Sequence, residues 1–233
     1  MKPGKVYLIP TVLQEDALET IPPYIVDAVK NCSVFFIETE KTTRRFFKKI
    51  WKEMVIDDQE WYTIHKAEDA VKKQFIELLL KGKNIGIVSE AGCPGIADPG
   101  QILVEAAQQN GIIVQPLVGP SSILLALMAS GMNGQCFQFN GYLPIDGLER
   151  KKKLKELEAE SERKKSTQLF IETPYRNNQL LNDIFQSCKP STLICIGTDI
   201  TGPAESIVTK TVKEWQAALP NLHKIPTIFL LQA

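Results

Sequence analysis

The chain has 233 residues, of which 44% are hydrophobic and 23% are charged, a composition typical of a globular protein with one large domain or two small ones. Lysine plus arginine number 27, as do aspartate plus glutamate, so the formal net charge is zero. Overall charge therefore does not indicate a nucleic-acid-binding protein, and any such binding needs a local basic patch. The five cysteines are scattered without a Cys-x-x-Cys pair, which is typical of reduced thiols in a cytoplasmic protein.

The sequence also argues against a membrane protein and against a metal site. The first residues lead into a short apolar strand and not into a signal sequence, and no apolar run reaches the length of a membrane span. His65 and His223 are far apart and have no metal-ligand spacing. We therefore expect a cytoplasmic protein with no membrane segment and no metal.

The first half of the chain alternates between apolar strands and helical patterns. The predicted strands are 6–9, 34–37, 61–63, 85–88 and 112–114, with a weak strand signal at 55–56. The predicted helices are 24–31, 42–52, 67–80 and one that begins near residue 102 and stops at Gly111. This alternation predicts a mostly parallel sheet with helices on both faces.

The second half begins with residues 123–129, which are apolar nearly all round and predict a helix buried between two layers. The strands predicted after it are 137–139, 169–171, 193–196, 207–208 and 228–231, and the helices are 149–165, 177–185 and 212–219. We place the domain boundary at residues 115–118. The sequence therefore predicts an α/β protein with two α/β domains, 1–116 and 117–233.

One loop stands out, the segment S-E-A-G-C-P-G-I-A-D-P-G at residues 89–100. It joins the carboxyl end of the strand 85–88 to the following helix, with Asp98 placed to cap that helix and Pro99 in its first turn. Ligands of open α/β sheets bind at this end of the strands, and glycine permits a close approach of the backbone. Composition alone is equally compatible with an ordinary loop between a strand and a helix.

The order of the residues in this loop resembles the S-[DE]-A-G-x-P-x-[IV]-[SA]-D-P-G signature of the tetrapyrrole methylase family of S-adenosylmethionine-dependent methyltransferases. It is most similar to the branch that methylates a ribose 2′-hydroxyl of small-subunit ribosomal RNA. Four more segments resemble family motifs in the same order: 6–11, 119–131, 139–144 and 171–176. The resemblance implies two α/β domains of the tetrapyrrole methylase type with the cofactor in the cleft between them, usually in a homodimer. Trp51, Trp61 and the phenylalanine-rich first half offer apolar surface for such a dimer.

The resemblance implies that S-adenosylmethionine is the cofactor and that the loop 89–100 contacts it mostly through its backbone. The cofactor-binding residues implied in this way are Pro10, Gly92, Cys93, Pro94, Ile96, Ser121, Ser122, Thr198 and Pro226. Ser121 and Ser122 stand at the start of a helix, where unpaired backbone N–H groups and the helix dipole suit an anion such as the methionine carboxylate. A helix cap is the structural alternative for Ser121.

A 2′-hydroxyl must lose its proton during methyl transfer, so a general base or a water is expected. The candidate bases are Glu38, Glu40, Glu90, Asp98, Glu172 and Asp199. The sequence does not select among them, and a Glu172–Arg176 pair is also compatible with a structural ion pair. We favour Asp199 as the catalytic residue because it follows a strand end in the second domain.

Two basic clusters are candidates for contacts with RNA phosphates, which bind without reading sequence. The first cluster is Arg44, Arg45, Lys48, Lys49 and Lys52, and the second is 150–153 with Lys155. The second is followed by Glu156, Glu158, Glu160 and Glu162, a pattern that favours a solvated charged helix. We therefore expect the first cluster to be the better candidate for a structured RNA substrate.

The chain departs from the ribosomal-RNA branch in two places. Residues 12–16 read V-L-Q-E-D where that branch has a Gly-Asn-Leu-Gly-Asp loop, and residues 198–201 lack its arginine. Both departures concern the substrate more than the cofactor. They leave open the methylation of a tetrapyrrole or other small metabolite, and also a catalytically silent module that only binds the cofactor.

Overall fold

The structure is a computed structural model that describes residues 2–64 and 69–233. The chain folds as two compact units, Met1–Ser121 and Ser122–Ala233. The boundary between the two units falls a few residues beyond the predicted boundary, directly before the second apolar helix.

The first unit contains an all-parallel sheet of five strands in the order β3-β2-β4-β1-β5. The strands are β1 Val6–Ile9, β2 Val34–Ile37, β3 Glu60–Thr63, β4 Ile85–Val88 and β5 Val114–Pro116. The helices of this unit are α1 Ile25–Lys30, α2 Glu40–Ile50, α3 Asp69–Leu80 and α4 Gln101–Gln109. The predicted parallel sheet of the first half is therefore confirmed, and the strands β1, β2 and β4 have the predicted bounds.

Helices cover both faces of this sheet because alternate side chains of each strand point to opposite faces. Phe35 and Ile37 of β2 pack with residues of α1 and α2, such as Phe46. Val34 and Phe36 of the same strand pack on the other face, with residues of α3 and α4. A strand that is apolar at every position is what a sheet covered on both faces requires.

The connections of the sheet change direction next to β1. From β1 the chain moves through α1 and α2 towards β3, and from β3 it returns through α3 and α4 to β4 and β5. The loops that leave the adjacent strands β1 and β4 therefore run to opposite faces of the sheet. This arrangement is a topological switch point, where open α/β sheets bind ligands outside the carboxyl ends of the strands.

Several local predictions for the first unit are wrong. The weak strand signal at residues 55–56 corresponds instead to a 3-10 turn at Ile56–Asp58, and the last strand lies at Val114–Pro116 rather than at 112–114. Asp98 does not cap α4, since the N-cap residue is Gly100. The predicted start of the helix 67–80 lies outside the described residues, which place α3 at Asp69–Leu80.

The second unit contains a mixed sheet in the order β6-β7-β10-β8-β9, in which only β6 and β7 pair in parallel. The strands are β6 Phe137–Tyr142, β7 Thr167–Ile171, β8 Leu193–Thr198, β9 Ser206–Thr211 and β10 Thr227–Gln232. The helices are α5 Ser122–Ser130, α6 Gly147–Lys164, α7 Asn177–Ser187 and α8 Val212–Ala217.

The core of the second unit lies between one face of its sheet and the helices α6, α7 and α8. Phe170 of β7 and Phe229 of β10 stack there with ring centroids 5.9 Å apart, and Leu154 of α6 packs in the same cluster. Both rings are fully buried, which contributes about 2 kcal/mol for each side chain.

Helix α5 lies against the other face of the same sheet. The hydroxyl of Thr209 donates to the carbonyl oxygen of Ser130 at 2.7 Å, and Ala126 is fully buried. Leu124 and Met128, however, are 52% and 79% exposed. The prediction of a helix buried all round is therefore wrong, because the sheet of this unit covers only one side of α5.

Among the residues that the structure describes, no helix is both long enough and apolar enough to cross a membrane.

Candidate functional site

The candidate site in the first unit begins where the loops after β1 and β4 meet. The backbone N–H of Thr11 donates to the carbonyl oxygen of Gly92 at 3.0 Å, and its hydroxyl donates to the carbonyl oxygen of Ser89 at 3.1 Å. Thr11 is buried, so both bonds are protected from water. Thr11 therefore fixes the loop 89–100 against the loop that follows β1, at the topological switch point.

The segment after β5 approaches the same two loops. A side chain on Gly119 would place its Cβ 2.1 Å from Cβ of Pro10, so only glycine allows these two segments to pack as they do. The thiol of Cys93 lies 3.7 Å and 3.6 Å from the carbonyl oxygens of Gly119 and Pro120. Pro10 and Cys93, two of the residues implied to bind the cofactor, thus both lie beside Gly119, in segments that follow three neighbouring strands.

The loop 89–100 contains residues with positive φ, and two of them are glycines. Gly92 and Gly95 have φ values of 75° and 81°, in the region that favours glycine. A Cβ on Gly92 would lie 3.2 Å from Leu13 and from the Pro120 carbonyl oxygen, whereas a Cβ on Gly95 would meet nothing within 4 Å. Asp98 holds the second half of the loop, since its Oδ1 accepts hydrogen bonds of 2.8 Å from the N–H groups of Gly95 and Gly100.

A cavity of about 190 Å³ opens beside these loops. Its walls come from the loop after β1, helix α2 and the start of the loop 89–100, and they carry charges of both signs. The residues that line it are Thr11, Val12, Leu13, Glu15, Thr42, Thr43, Arg45, Phe46, Lys49, Ser89 and Glu90. The charged side chains among them are two acids, Glu15 and Glu90, and two bases, Arg45 and Lys49.

The altered segment 12–16 is bound to α2 by ion pairs. Glu15 lies 3.0 Å from Arg45 and 3.4 Å from Lys49, and Lys49 lies 3.1 Å from Asp16. The pKa of Glu15 is lowered from 4.5, chiefly by hydrogen bonds from Arg45 and then from Lys49. The pKa of Lys49 is raised, chiefly by its hydrogen bond to Asp16. The two acids therefore neutralise cations that were candidates for contacts with RNA.

In the second unit, two of the residues implied by the resemblance, Thr198 and Pro226, lie beside the favoured base Asp199. Thr198 ends β8 and pairs in register with Thr227 at the start of β10, and the N–H of Asp199 donates to the carbonyl oxygen of Pro226 at 3.1 Å. Asp199 has a φ of 49°, and its Oδ2 accepts from the N–H of Ala204 at 2.9 Å. Asp199 therefore supports the turn between β8 and β9.

Each of the other five candidate bases also has a partner. Oε1 of Glu38 accepts from the N–H of Glu90, and Oε1 of Glu90 accepts from the Thr42 hydroxyl. Glu40 pairs with Arg44 on α2, and Asp98 holds its own loop. The buried Glu172 lies 2.6 Å from Arg176, in the ion pair that was its structural alternative.

The remaining predicted site residues differ in exposure. Pro94 is buried, whereas the side chain of Ile96 is 55% exposed. Ser121 is the last residue of the first unit, and Ser122 begins α5 in the second. Both serines are half-buried.

The thiols differ in how far they are removed from water. Burial raises the pKa of Cys32 to about 12, and burial together with Glu158 raises the pKa of Cys188 to about 12. Burial also raises the pKa of Cys93, which keeps its thiol protonated towards the neighbouring carbonyl oxygens. Within residues 2–64 and 69–233, no group of three or more His, Cys, Asp or Glu side chains is arranged to hold a metal ion.

Sequence reasoning missed several of these contacts. It treated Arg150 as part of a basic surface run, but Arg150 is 1% exposed and its Nε donates to Oδ2 of Asp183 at 2.7 Å. It also did not single out Thr11 as the residue that joins two loops. No local signal identifies either contact, because the partners are 33 and 78 residues away along the chain.

The fold and the site together define a class: a two-unit α/β protein whose first unit has convergent glycine-containing loops at a topological switch point. A sequence model of the tetrapyrrole (corrin/porphyrin) methylases matches residues 16–216, which is most of the chain. The protein belongs to the tetrapyrrole methylase family.

Curated relatives carry the name ribosomal RNA small subunit methyltransferase I. The protein of Vibrio cholerae is 33% identical over 174 residues, which are 73% of this chain and 59% of the relative. The protein of Bacillus subtilis is 32% identical over 211 residues, which are 91% of this chain and 68% of the relative. In the Vibrio cholerae protein and the similar one of Xylella fastidiosa, the match spans less than two thirds of the relative's length.

Solved structures of two methyltransferases have the same fold. The methyltransferase CobJ matches 98% of this chain and 94% of its own, with a TM-score of 0.64 at 18% identity. A uroporphyrin-III-C-methyltransferase from Thermus thermophilus matches 100% of this chain and 93% of its own, with a TM-score of 0.58 at 16% identity. These similarities confirm the predicted two-domain α/β fold class.

Proposed function

We propose that this protein is an S-adenosylmethionine-dependent methyltransferase that methylates a ribose 2′-hydroxyl of small-subunit ribosomal RNA. The observation that carries the proposal is the family match over residues 16–216, together with relatives that are named for this ribosomal RNA activity. The methyl donor of the family is S-adenosylmethionine.

The residues of the first unit fit such a cofactor. The loop 89–100 offers backbone groups at the carboxyl end of β4, and Gly95 leaves open space where another residue would place a side chain. The bound cofactor supplies a sulfonium-activated methyl group, so the protein mainly has to bind and orient it and to exclude water. We assign this binding to Pro10, Gly92, Cys93, Pro94 and Ile96, with Ser121, Ser122, Thr198 and Pro226 as further contacts.

We propose Asp199 as the group that accepts the proton of the ribose hydroxyl. Asp199→Asn tests this role, because asparagine tolerates a positive φ and keeps an oxygen for the N–H of Ala204. It removes the basic carboxylate alone. We expect methyl transfer to fall by about 10²-fold or more, with cofactor affinity and melting temperature unchanged. Turnover close to that of the wild type would leave Asp199 as a turn residue only.

The acceptor is tested by transfer of a tritiated methyl group from labelled cofactor. The substrates are small ribosomal subunits and, separately, the small-molecule fraction of a cell extract. We expect label in the ribosomal RNA. The labelled nucleotide should have a 3′-phosphodiester bond that resists alkaline cleavage, because its 2′-hydroxyl is methylated. Gly92→Arg, whose side chain would fill the loop, is the inactive control, and its melting curve reports whether the fold is retained.

The outcomes separate the three functions that the sequence leaves open. Label in the small-molecule fraction alone would favour methylation of a tetrapyrrole or other metabolite. Calorimetric binding of the cofactor without any label in either fraction would favour a catalytically silent module.

A further inference from the structure

Helix α6 carries both acids and bases, and three of its glutamates, Glu158, Glu160 and Glu162, have partners away from the lysines at its beginning. Glu158 is buried and accepts from the N–H of Lys189 at 2.8 Å and from the hydroxyl of Thr192. Glu160 lies 2.5 Å from Lys164, and Glu162 lies 2.7 Å from Lys189. These three glutamates, which favoured a solvated charged helix in the sequence, therefore do not pair with the lysines at the beginning of α6.

The lysines at the beginning of α6 form an open surface. Leu148, Lys151, Lys152, Lys155 and Ala159 lie on one side of the helix, at spacings of three and four residues, and line a broad hollow with Glu156. Glu156 lies 3.8 Å from Lys153, and Lys151 lies 3.6 Å from Asp183. Within residues 2–64 and 69–233, neither the ammonium of Lys152 nor that of Lys155 contacts an acidic partner.

Most cations of the basic cluster on α2, by contrast, already have partners within the protein. Arg44 pairs with Glu40, Arg45 with Glu15, and Lys49 with Glu15 and Asp16. Lys48 donates to the carbonyl oxygens of Lys52 and Met54. A polyanion that binds the cations of α2 must first displace these partners, whereas Lys152 and Lys155 of α6 have no acidic partner among the described residues that it would have to displace.

The start of α6 is also held rigidly. Asp146 caps the helix by accepting from the N–H groups of Leu148 and Glu149. The buried Arg150 donates to Asp183 and to the carbonyl oxygens of Pro144 and Ile145. The lysines are thus presented by a fixed element, and Leu148, which is 79% exposed, offers an apolar contact beside them.

We propose that the α6 surface, made of Leu148, Lys151, Lys152, Lys155 and Ala159, binds the phosphate backbone of the RNA acceptor. The inference rests on the proposed function, because it concerns how that acceptor is held. Charge complementarity carries it: unpaired cations stand next to each other in a protein with no net charge. Phosphate contacts of this kind position an RNA without reading its sequence.

The test is fluorescence anisotropy of a labelled single-stranded RNA of mixed sequence, titrated with the protein over a series of salt concentrations. The logarithm of the binding constant falls with the logarithm of salt by about 0.7 for each phosphate contact in a single strand. Lys152→Gln with Lys155→Gln should therefore reduce the slope by about 1.4 and weaken binding roughly 25-fold at about 0.1 M salt.

The matched control is Lys164→Gln with Lys189→Gln. This variant also removes two positive charges, but from lysines that pair with Glu160 and Glu162. The slope and the affinity of this variant should equal those of the wild type. Equal slopes for the Lys152/Lys155 variant and the wild type would overturn the inference, as would a slope lost only on changing Arg45 and Lys49.

Methyl transfer to small ribosomal subunits is measured in parallel, so that the two proposals fail separately. A wild-type protein that binds RNA through Lys152 and Lys155 without methylating it supports the surface and contradicts the proposed function. A Lys152/Lys155 variant that methylates ribosomal RNA with the KM of the wild type supports the function and overturns the surface.

Discussion

Single residues of the loop 89–100 determine whether three chain segments can meet. Gly92 and Gly95 both have positive φ values, but only Gly92 is close to other atoms, namely Leu13 and the carbonyl oxygen of Pro120. The pair therefore separates two physical effects. One effect is the strain of a left-handed backbone, and the other is crowding between loops.

We expect Gly92→Ala to destabilise the protein more than Gly95→Ala does. Each substitution carries a left-handed backbone penalty of about 1–2 kcal/mol, and Gly92→Ala adds the displacement of Leu13 or Pro120. Thermal unfolding of the two variants, with calorimetric titration of the cofactor, measures both effects. Equal losses of stability and of affinity would mean that the close packing around Gly92 has no separate role.

The two serines before and at the start of α5 give a second prediction at this scale. If their hydroxyls hold the cofactor, Ser121→Ala and Ser122→Ala should each weaken its binding by about 1 kcal/mol, the net value of one hydrogen bond. Ser122→Pro should weaken binding further, since proline removes an N–H donor. Calorimetry and melting of the same variants discriminate, because a mere cap predicts lost stability with unchanged affinity.

At the scale of elements, the segment 12–16 shows how an altered motif changes its surroundings. In place of a glycine-containing loop, this chain has Glu15 and Asp16, which pair with α2, and Glu15 also lines the cavity beside the site. The same acids pair with Arg45 and Lys49, two members of the basic cluster that looked more suitable for RNA in the sequence. The departure from the family motif therefore concerns charge as much as backbone shape.

The link between Glu15 and α2 should be sensitive to acid. The pKa of Glu15 is lowered in the folded protein by Arg45 and Lys49, so its stabilising effect is present above the unfolded pKa and is lost as the pH falls through the folded value. We expect wild type and Glu15→Gln to differ in melting temperature at neutral pH and to converge in acid, once the pH has fallen through the lowered pKa of Glu15. The control is Glu53→Gln, which removes one exposed carboxylate outside the ion pairs of Glu15. The same pH dependence for both variants would contradict the role of these pairs.

At the scale of the whole molecule, the two tryptophans expected to offer apolar surface for a dimer are packed within the first unit. Trp51 and Trp61 are half-buried and pack against the core of the first unit, with Phe35 and Trp61 stacked at 5.1 Å. Leu124 and Met128 on α5, by contrast, are well exposed. We propose that the homodimer implied by the family resemblance uses the exposed side of α5.

Sedimentation tests this proposal. We expect the wild type to sediment as a dimer and Met128→Lys to shift the distribution to monomer, because a lysine in an apolar interface must lose its hydration. Leu80→Lys, which changes an exposed apolar residue of α3 in the first unit, is the control and should remain dimeric. A wild-type monomer at micromolar concentration would overturn the dimer itself.

The sequence by itself determined the order of strands and helices in the first unit and the loops at the ends of β1, β4 and β5. These features rest on local signals, since continuous apolar runs, glycines and prolines act on the backbone within a few residues. The family signature in the loop 89–100 is likewise contiguous, and so it was recognisable without a structure.

Only the tertiary structure decided which charges and which apolar side chains remain available. Arg150 pairs with Asp183 inside the protein and Arg45 with Glu15 across two elements, while Lys152 and Lys155 stay open on α6. The composition does not distinguish paired cations from unpaired ones. Each of these two ion pairs joins residues about thirty positions apart, which the fold brings within a few ångströms. For the same reason the apolar helix α5 was predicted to be buried: its sequence does not specify how many layers pack against it.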